Sequence, residues 1–150
     1  MDKFYGFDLG DAESAVTLLN KTDQETPEVL KIGETGSFIT AYALCRDGRL
    51  LIGEGACYEP DVLQRQIRFK SRFLTDISVR SDVRSFAAGV LGELYLSGQL
   101  VRGAEQCFYI GCPAGWDRNV REVYRSIFER VGSPPVRIIS SAFMYWLKSE

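Results

Sequence analysis

The sequence predicts a mixed α/β fold: a sheet begun by an antiparallel meander and completed by strands that return through helices. Three observations carry this expectation. The first fifty residues hold short apolar runs separated by turn residues, which is the pattern of hairpins. Residues 81–97 and 117–131 place apolar side chains at helical spacing. Between those two helices lies Cys107–Cys112, a continuous apolar run of the kind a strand buried on both faces requires.

The first strand is expected over Lys3–Leu9. Alternation gives Tyr5, Phe7 and Leu9 one face and Phe4, Gly6 and Asp8 the other. Gly10-Asp11-Ala12 turns the chain, and Ala15–Leu19 returns as an antiparallel partner. Asn20–Pro27 is polar and reads as a loop, Phe38–Leu44 as a third strand. Arg46-Asp47-Gly48-Arg49 supplies turn chemistry before Leu50–Ile52. Pro60 suits the first turn of a helix over Asp61–Lys70, whose Arg65, Arg68, Lys70 and Arg72 would form a solvated basic face beside Phe69 and Phe73. In the next helix Val83, Phe86, Ala87, Val90, Leu91 and Leu94 make the buried stripe, with Ser81 as N-cap and Gly98 as stop. Pro113-Ala114-Gly115-Trp116 leads from the Cys107–Cys112 strand into a helix capped by Asp117, with Val120, Val123, Tyr124, Ile127 and Val131 inward. Gly132 and Pro134-Pro135 end it, and Val136–Ile139 is a last strand. A meander followed by right-handed β-α-β crossovers is the arrangement of ribonuclease-H-like folds, and 150 residues suit one domain.

Composition narrows the chemistry. Eighteen basic residues against twenty acidic ones give a net charge of −2, which offers no general attraction for nucleic acid or an anionic membrane. No apolar run reaches bilayer length and the Met1-Asp2-Lys3 start lacks a signal-peptide core, so a soluble cytoplasmic protein is expected. There is no histidine, which excludes Ser-His-Asp and Cys-His catalysis and argues against zinc. Cys45, Cys57, Cys107 and Cys112 form no C-x-x-C pair and read as reduced structural thiols. Chemistry is left to carboxylates, hydroxyls, lysine and backbone dipoles.

The feature best placed for it is Asp8, at a strand end beside a glycine turn. A carboxylate there can orient a hydrated metal while neighbouring N–H groups receive a phosphate oxygen. The plainer alternative is a hairpin whose aspartate closes its own turn.

Four segments together resemble the amino-terminal part of the nucleotide-binding domain of Hsp70-type chaperones, within the actin, sugar-kinase and Hsp70 ATPase superfamily. Phe7-Asp8-Leu9-Gly10, with Ser14 and Val16, is similar to that family's first phosphate loop. Ser37-Phe38-Ile39 and Asp47 to Ala56 resemble its strand, turn and "hG[DE]xA" segment. Cys112 to Asp117 resembles its "VPAxFxx" junction, and Gly132 with Val136–Ile139 its later strand. The resemblance spans all 150 residues and implies one lobe of a two-lobed ATP site, with the second lobe absent from this chain. It implies ATP or ADP with magnesium as ligand, Asp8 facing the metal's water shell, and Gly10, Asp11, Ala12 and Ser14 lining the phosphates. Nucleotide binding is expected to be poor unless a second lobe is supplied.

The departures from the family pattern bear on turnover. Asp11 and Ala12 stand where hydroxyl residues are usual, so two carboxylates would face phosphate. The lysine that usually follows Ala56 is replaced by Cys57, and Ser140-Ser141-Ala142 follows the last strand in place of an acid. Weakened or absent hydrolysis follows from those losses. The competing expectation is a non-catalytic pseudo-ATPase that keeps the fold for assembly with protein partners or itself, the apolar tail Tyr145-Trp146-Leu147 being one means of self-association. A ribonuclease-H-like nuclease ranks third, because the strand Cys107–Cys112 offers no second carboxylate for a metal pair and Glu93 reads as a solvent-facing helix residue.

Overall fold

In the computed structural model of the protein, residues 3–20 and 27–140 are described, and they form two sheets. The larger sheet opens with β1 (Lys3–Leu9) and β2 (Glu13–Asn20), an antiparallel hairpin that pairs Phe7 with Val16 and Asp8 with Ala15. Two short strands, β3 (Glu28–Leu30) and β4 (Ser37–Ile39), both pair with β2. On the other side of β1 lie β8 (Gln106–Cys112) and β9 (Val136–Ser140), each parallel to its neighbour, giving the order β3-β2-β1-β8-β9.

The smaller sheet holds β5 (Ala41–Cys45) between β6 (Leu50–Ile52) and β7 (Val62–Ile67), all antiparallel. A five-residue helix, α1 (Glu54–Tyr58), joins β6 to β7. The long helices are α2 (Val79–Leu96), on the crossover from the small sheet to β8, and α3 (Arg118–Arg130), on the crossover from β8 to β9.

Alternation decides where the core lies. Tyr5, Phe7 and Leu9 are fully buried on one face of β1. Register carries that face to Phe108, Ile110 and Cys112 on β8. There they meet Val83, Phe86, Val90 and Leu94 of α2 and Tyr124 and Phe128 of α3. Phe7 packs edge-on to Phe128 at 5.7 Å, and burying each such side chain contributes roughly 1.5–3 kcal/mol. The mixed sheet with helices packed on it is therefore as the sequence predicts. The expected helix stops are also found, since Gly98 and Gly132 take φ of 78° and 89° just past α2 and α3.

Several elements differ from expectation. The strand expected over 38–44 breaks at Thr40 into β4 and β5, which belong to different sheets. Thr40 is pinned there by three neighbours, described below, and the chain changes sheet as it passes. The helix expected over 61–70 is strand β7, followed by a 3-10 turn over Lys70–Arg72. Glu59 takes the extended φ and ψ of −64° and 121° that a residue before proline prefers, which ends α1 rather than starting a helix. β7 then finds its ladder partner in β5. The basic face expected on that helix does not form as such, because Lys70 is buried, as are Phe69 and Phe73. Strand β3 and helix α1 were not legible in the sequence, being only three and five residues long. Ser81 is not the N-cap of α2, which begins at Val79. Most of the expected loop at 20–27 and the tail Tyr145-Trp146-Leu147 lie outside the described residues. Among the described residues no helix is long and apolar enough to cross a membrane.

Candidate functional site

The turn between β1 and β2 is built tightly. The Gly10 N–H donates to the Glu13 carbonyl at 3.1 Å, and a Cβ placed on Gly10 would stand 2.4 Å from that same oxygen. Only glycine fits. Asp8 is half-buried on the face opposite Phe7 and Leu9, at the end of β1, and Asp11 and Ala12 are exposed at the tip. Thr40 fastens the turn from below. Its N–H donates to the Ala12 carbonyl at 2.9 Å and its hydroxyl to the Gly10 carbonyl at 2.8 Å. Because that hydroxyl has a single proton, the 2.7 Å contact with Ser14 must be the Ser14 hydroxyl donating to Thr40 Oγ1. Ser14, only 2% exposed, is thus committed to holding the turn from inside.

A cation reaches the same place by a route the sequence reading did not find. Cys57, at the position where the resembled family has a lysine, lies in α1 with its thiol 3.7 Å from the Gly53 carbonyl. Lys70 comes instead from the 3-10 turn after β7. Its Nζ donates to the Leu9 carbonyl, and it lies 5.9 Å from the ring centre of Trp116 and 5.6 Å from that of Tyr124. Burial pushes the Lys70 ammonium below its ordinary range, while Asp8, Cys112 and Asp11 act in the opposite direction. The next residue adds a second tie, since the Ser71 N–H donates to the Asp11 carboxylate at 2.9 Å. The 3-10 turn is therefore joined to the β1–β2 turn at two points about sixty residues apart in sequence.

The aromatic floor under Lys70 fixes its path. Trp116 stacks on Phe73 at 5.0 Å with the rings nearly parallel, and Tyr124 meets both edge-on. Trp116 is 7% exposed, so it packs inward over the start of α3. The Tyr124 hydroxyl is buried without a hydrogen-bond partner among the described residues. Burial pushes it well up, and Cys112 and Asp8 add to the effect. The same two groups act on Lys70, so ammonium, hydroxyl, carboxylate and thiol share one neighbourhood behind the turn. Burial likewise pushes the Cys112 thiol up, opposed by Arg121 and Lys70.

Sequence reasoning thus named Asp8, Gly10, Asp11, Ala12 and Ser14, and the fold gathers all five within one hairpin. It did not find Thr40 and Lys70. Two signals were available for Lys70: the aromatics Phe69 and Phe73 around it, and its place in a segment whose apolar residues lack a helical stripe. For a metal, no group of three carboxylates or thiols among the described residues could enclose an ion. A strand-end carboxylate such as Asp8 fits a magnesium ion that arrives on phosphates and keeps its water shell, and does not fit an ion held by protein ligands alone. Glu93, considered as a second nuclease carboxylate, is exposed on α2 and lines a separate groove.

Comparison with known proteins locates the fold. No family model matches the chain and no curated protein matches it in sequence. Among solved structures it is similar to a non-polymerising mutant of MamK bound to AMPPNP, at 17% identity and a TM-score of 0.66, over 95% of this chain and 42% of that one. It is also similar to MreB5 of Spiroplasma citri bound to ADP, at 14% identity and a TM-score of 0.59, over 95% of this chain and 39% of that one. The chain spans less than half the length of either neighbour. The chain shares the fold of these two proteins.

Proposed function

We propose that this chain is the phosphate-binding lobe of an actin-like, ATP-binding protein. In this reading the Asp11 and Ala12 N–H groups at the tip of the turn, which Gly10 shapes, receive phosphate oxygens, Asp8 orients the water shell of a magnesium ion, and Lys70 supplies positive charge beside the two carboxylates. The observation that carries it is the position of Lys70, a buried ammonium held on the Leu9 carbonyl next to Asp8 and Asp11. A hairpin with no ligand has little reason to bring a cation sixty residues away into its base, where burial opposes the charge. The neighbours bound to AMPPNP and ADP support the same ligand class.

In this reading Lys70 takes up the charge neutralisation lost at Cys57, so the case for weakened hydrolysis rests on the serine, Ser140, that closes β9 in place of an acid. The Hsp70-like motifs keep a chaperone relative within the proposal. A second reading, an assembly module of the same fold, is favoured by the MamK neighbour, which is described as a non-polymerising mutant.

Calorimetry with Mg-ATP, on the longest form of the protein its gene encodes, tests the first reading. Binding heat is expected, with affinity falling at least about tenfold in Asp8→Asn and in Lys70→Met, or about 1.4 kcal/mol. Absence of any heat with the wild-type protein would dispose of the nucleotide reading.

A further inference from the structure

The donors around the β1–β2 turn are unequally engaged. The Gly10 N–H is tied to the Glu13 carbonyl, whereas the Asp11 and Ala12 N–H groups make no backbone hydrogen bond among the described residues. The adjoining 3-10 turn presents two further groups that attract an anion, the Ser71 N–H and the Lys70 ammonium. Both already answer to an anion of the chain's own. The Ser71 N–H donates to the Asp11 carboxylate at 2.9 Å, and Lys70, bound to the Leu9 carbonyl, sits in the field of Asp8 and Asp11 together.

A carboxylate and a phosphate oxygen make the same demand on a backbone N–H, so the Asp11 side chain fills a position that a ligand phosphate could fill. Asp11 and Ser71 are both exposed, and a tie open to solvent is one that a charged ligand can displace. Charge also counts against a further anion. One ammonium stands against two carboxylates, and Arg72, two residues on, acts on Asp76 instead. Like charges about 4 Å apart at a protein surface repel strongly enough to change binding by more than about tenfold.

We infer that Asp11 sets the phosphate specificity of this turn: its carboxylate, seated on the Ser71 N–H beside Lys70, holds the place of a terminal phosphate, so the turn selects a nucleoside diphosphate over a triphosphate. This inference rests on the nucleotide reading above. A diphosphate reaches the Asp11 and Ala12 N–H groups and leaves the tie between Asp11 and Ser71 in place. A triphosphate brings about one more negative charge. Its third phosphate either stands against the Asp11 carboxylate or displaces it from Ser71, and both cost affinity. Removing the charge of Asp11 lifts the repulsion and weakens the bond to be displaced.

Calorimetry with Mg-ADP and with Mg-ATP, on the longest form of the protein its gene encodes, tests it in Asp11→Asn and Asp11→Ala. Asparagine keeps the size of the side chain and an acceptor for Ser71 while removing the charge; alanine removes both. Glu28→Gln, at an exposed position paired with Leu18 near the far end of β2, controls for net charge. The wild type is expected to bind Mg-ADP at least about fivefold more tightly than Mg-ATP. Both Asp11 variants are expected to gain at least about fivefold for Mg-ATP with less than about a twofold change for Mg-ADP, and Glu28→Gln to keep the wild-type ratio. A wild type that binds both nucleotides without preferring Mg-ADP overturns this inference and leaves the nucleotide reading standing. So does a ratio that Asp11→Asn leaves unchanged, that only the alanine variant alters, or that Glu28→Gln alters equally. A wild type that binds neither nucleotide overturns both.

Discussion

Thr40 shows how much of the molecule one side chain can decide. It stands where the chain passes from the large sheet to the small one, and it fixes the β1–β2 turn through the Gly10 and Ala12 carbonyls. Its own carbonyl accepts from the Arg68 N–H at 3.2 Å, which ties in the segment that delivers Lys70. Thr40→Val keeps the shape and the backbone bonds but leaves the half-buried Gly10 carbonyl and the buried Ser14 hydroxyl without their partner. The expected loss is about 1–3 kcal/mol in urea unfolding. Thr40→Ser is expected to recover most of it. Equal stability of the valine variant would mean that the turn is held by something other than this hydroxyl. Nothing in the sequence marked Thr40, because a threonine inside an apolar run reads as an ordinary strand residue.

The elements that the sequence disclosed are those with their own local reasons to exist. Helix α3 is one: its apolar residues recur at helical spacing and the Asp117 carboxylate accepts from the Val120 N–H at 2.9 Å, satisfying a donor the helix cannot pair. Asp117→Ala is expected to cost about 1 kcal/mol and to lower the melting temperature, with no change in nucleotide response. A loss below a few tenths of a kcal/mol would show that the cap is redundant. Strand β7 is the opposite case. Val62–Ile67 has no alternation that favours a strand, and Arg65 spends its guanidinium on the Ala56 and Glu59 carbonyls at the end of α1. Its conformation comes from pairing with β5, a long-range choice that a window of sequence does not contain. The same limit hid Lys70, since only the path after β7 brings it under Leu9.

Across the whole molecule, buried ionisable groups set the pH response. Burial pushes the phenols of Tyr5, Tyr42 and Tyr124 up, and for Tyr42 the hydrogen bond to Asp82 adds to it. Burial pushes the Cys45 and Cys112 thiols up as well. In the unfolded chain these groups ionise near their ordinary values, about 8.5 for thiols and about 10 for phenols. Above those values the folded state binds more protons than the unfolded one, so stability falls as pH rises. Lys70, whose folded value is lowered, acts in the opposite sense, but it is one group against these five and Tyr109, which burial also pushes up. Urea midpoints are expected to hold up to about pH 8, begin to fall near 8.5 and drop more steeply past 10; a flat profile to pH 11 would contradict the burial of these side chains. The account's central claim is that the β1–β2 turn with Lys70 faces phosphate, and amide NMR of this chain titrated with Mg-ATP tests it most directly. A lobe that contributes only the phosphate contacts is expected to bind in the millimolar range, about 4 kcal/mol. Shifts should centre on the N–H groups of Asp11 and Ala12, be smaller at Gly10 and Ser71, whose N–H groups are tied to Glu13 and Asp11, and vanish in Asp8→Asn and Lys70→Met. Shifts confined to other surfaces, or unchanged by those two substitutions, would contradict it.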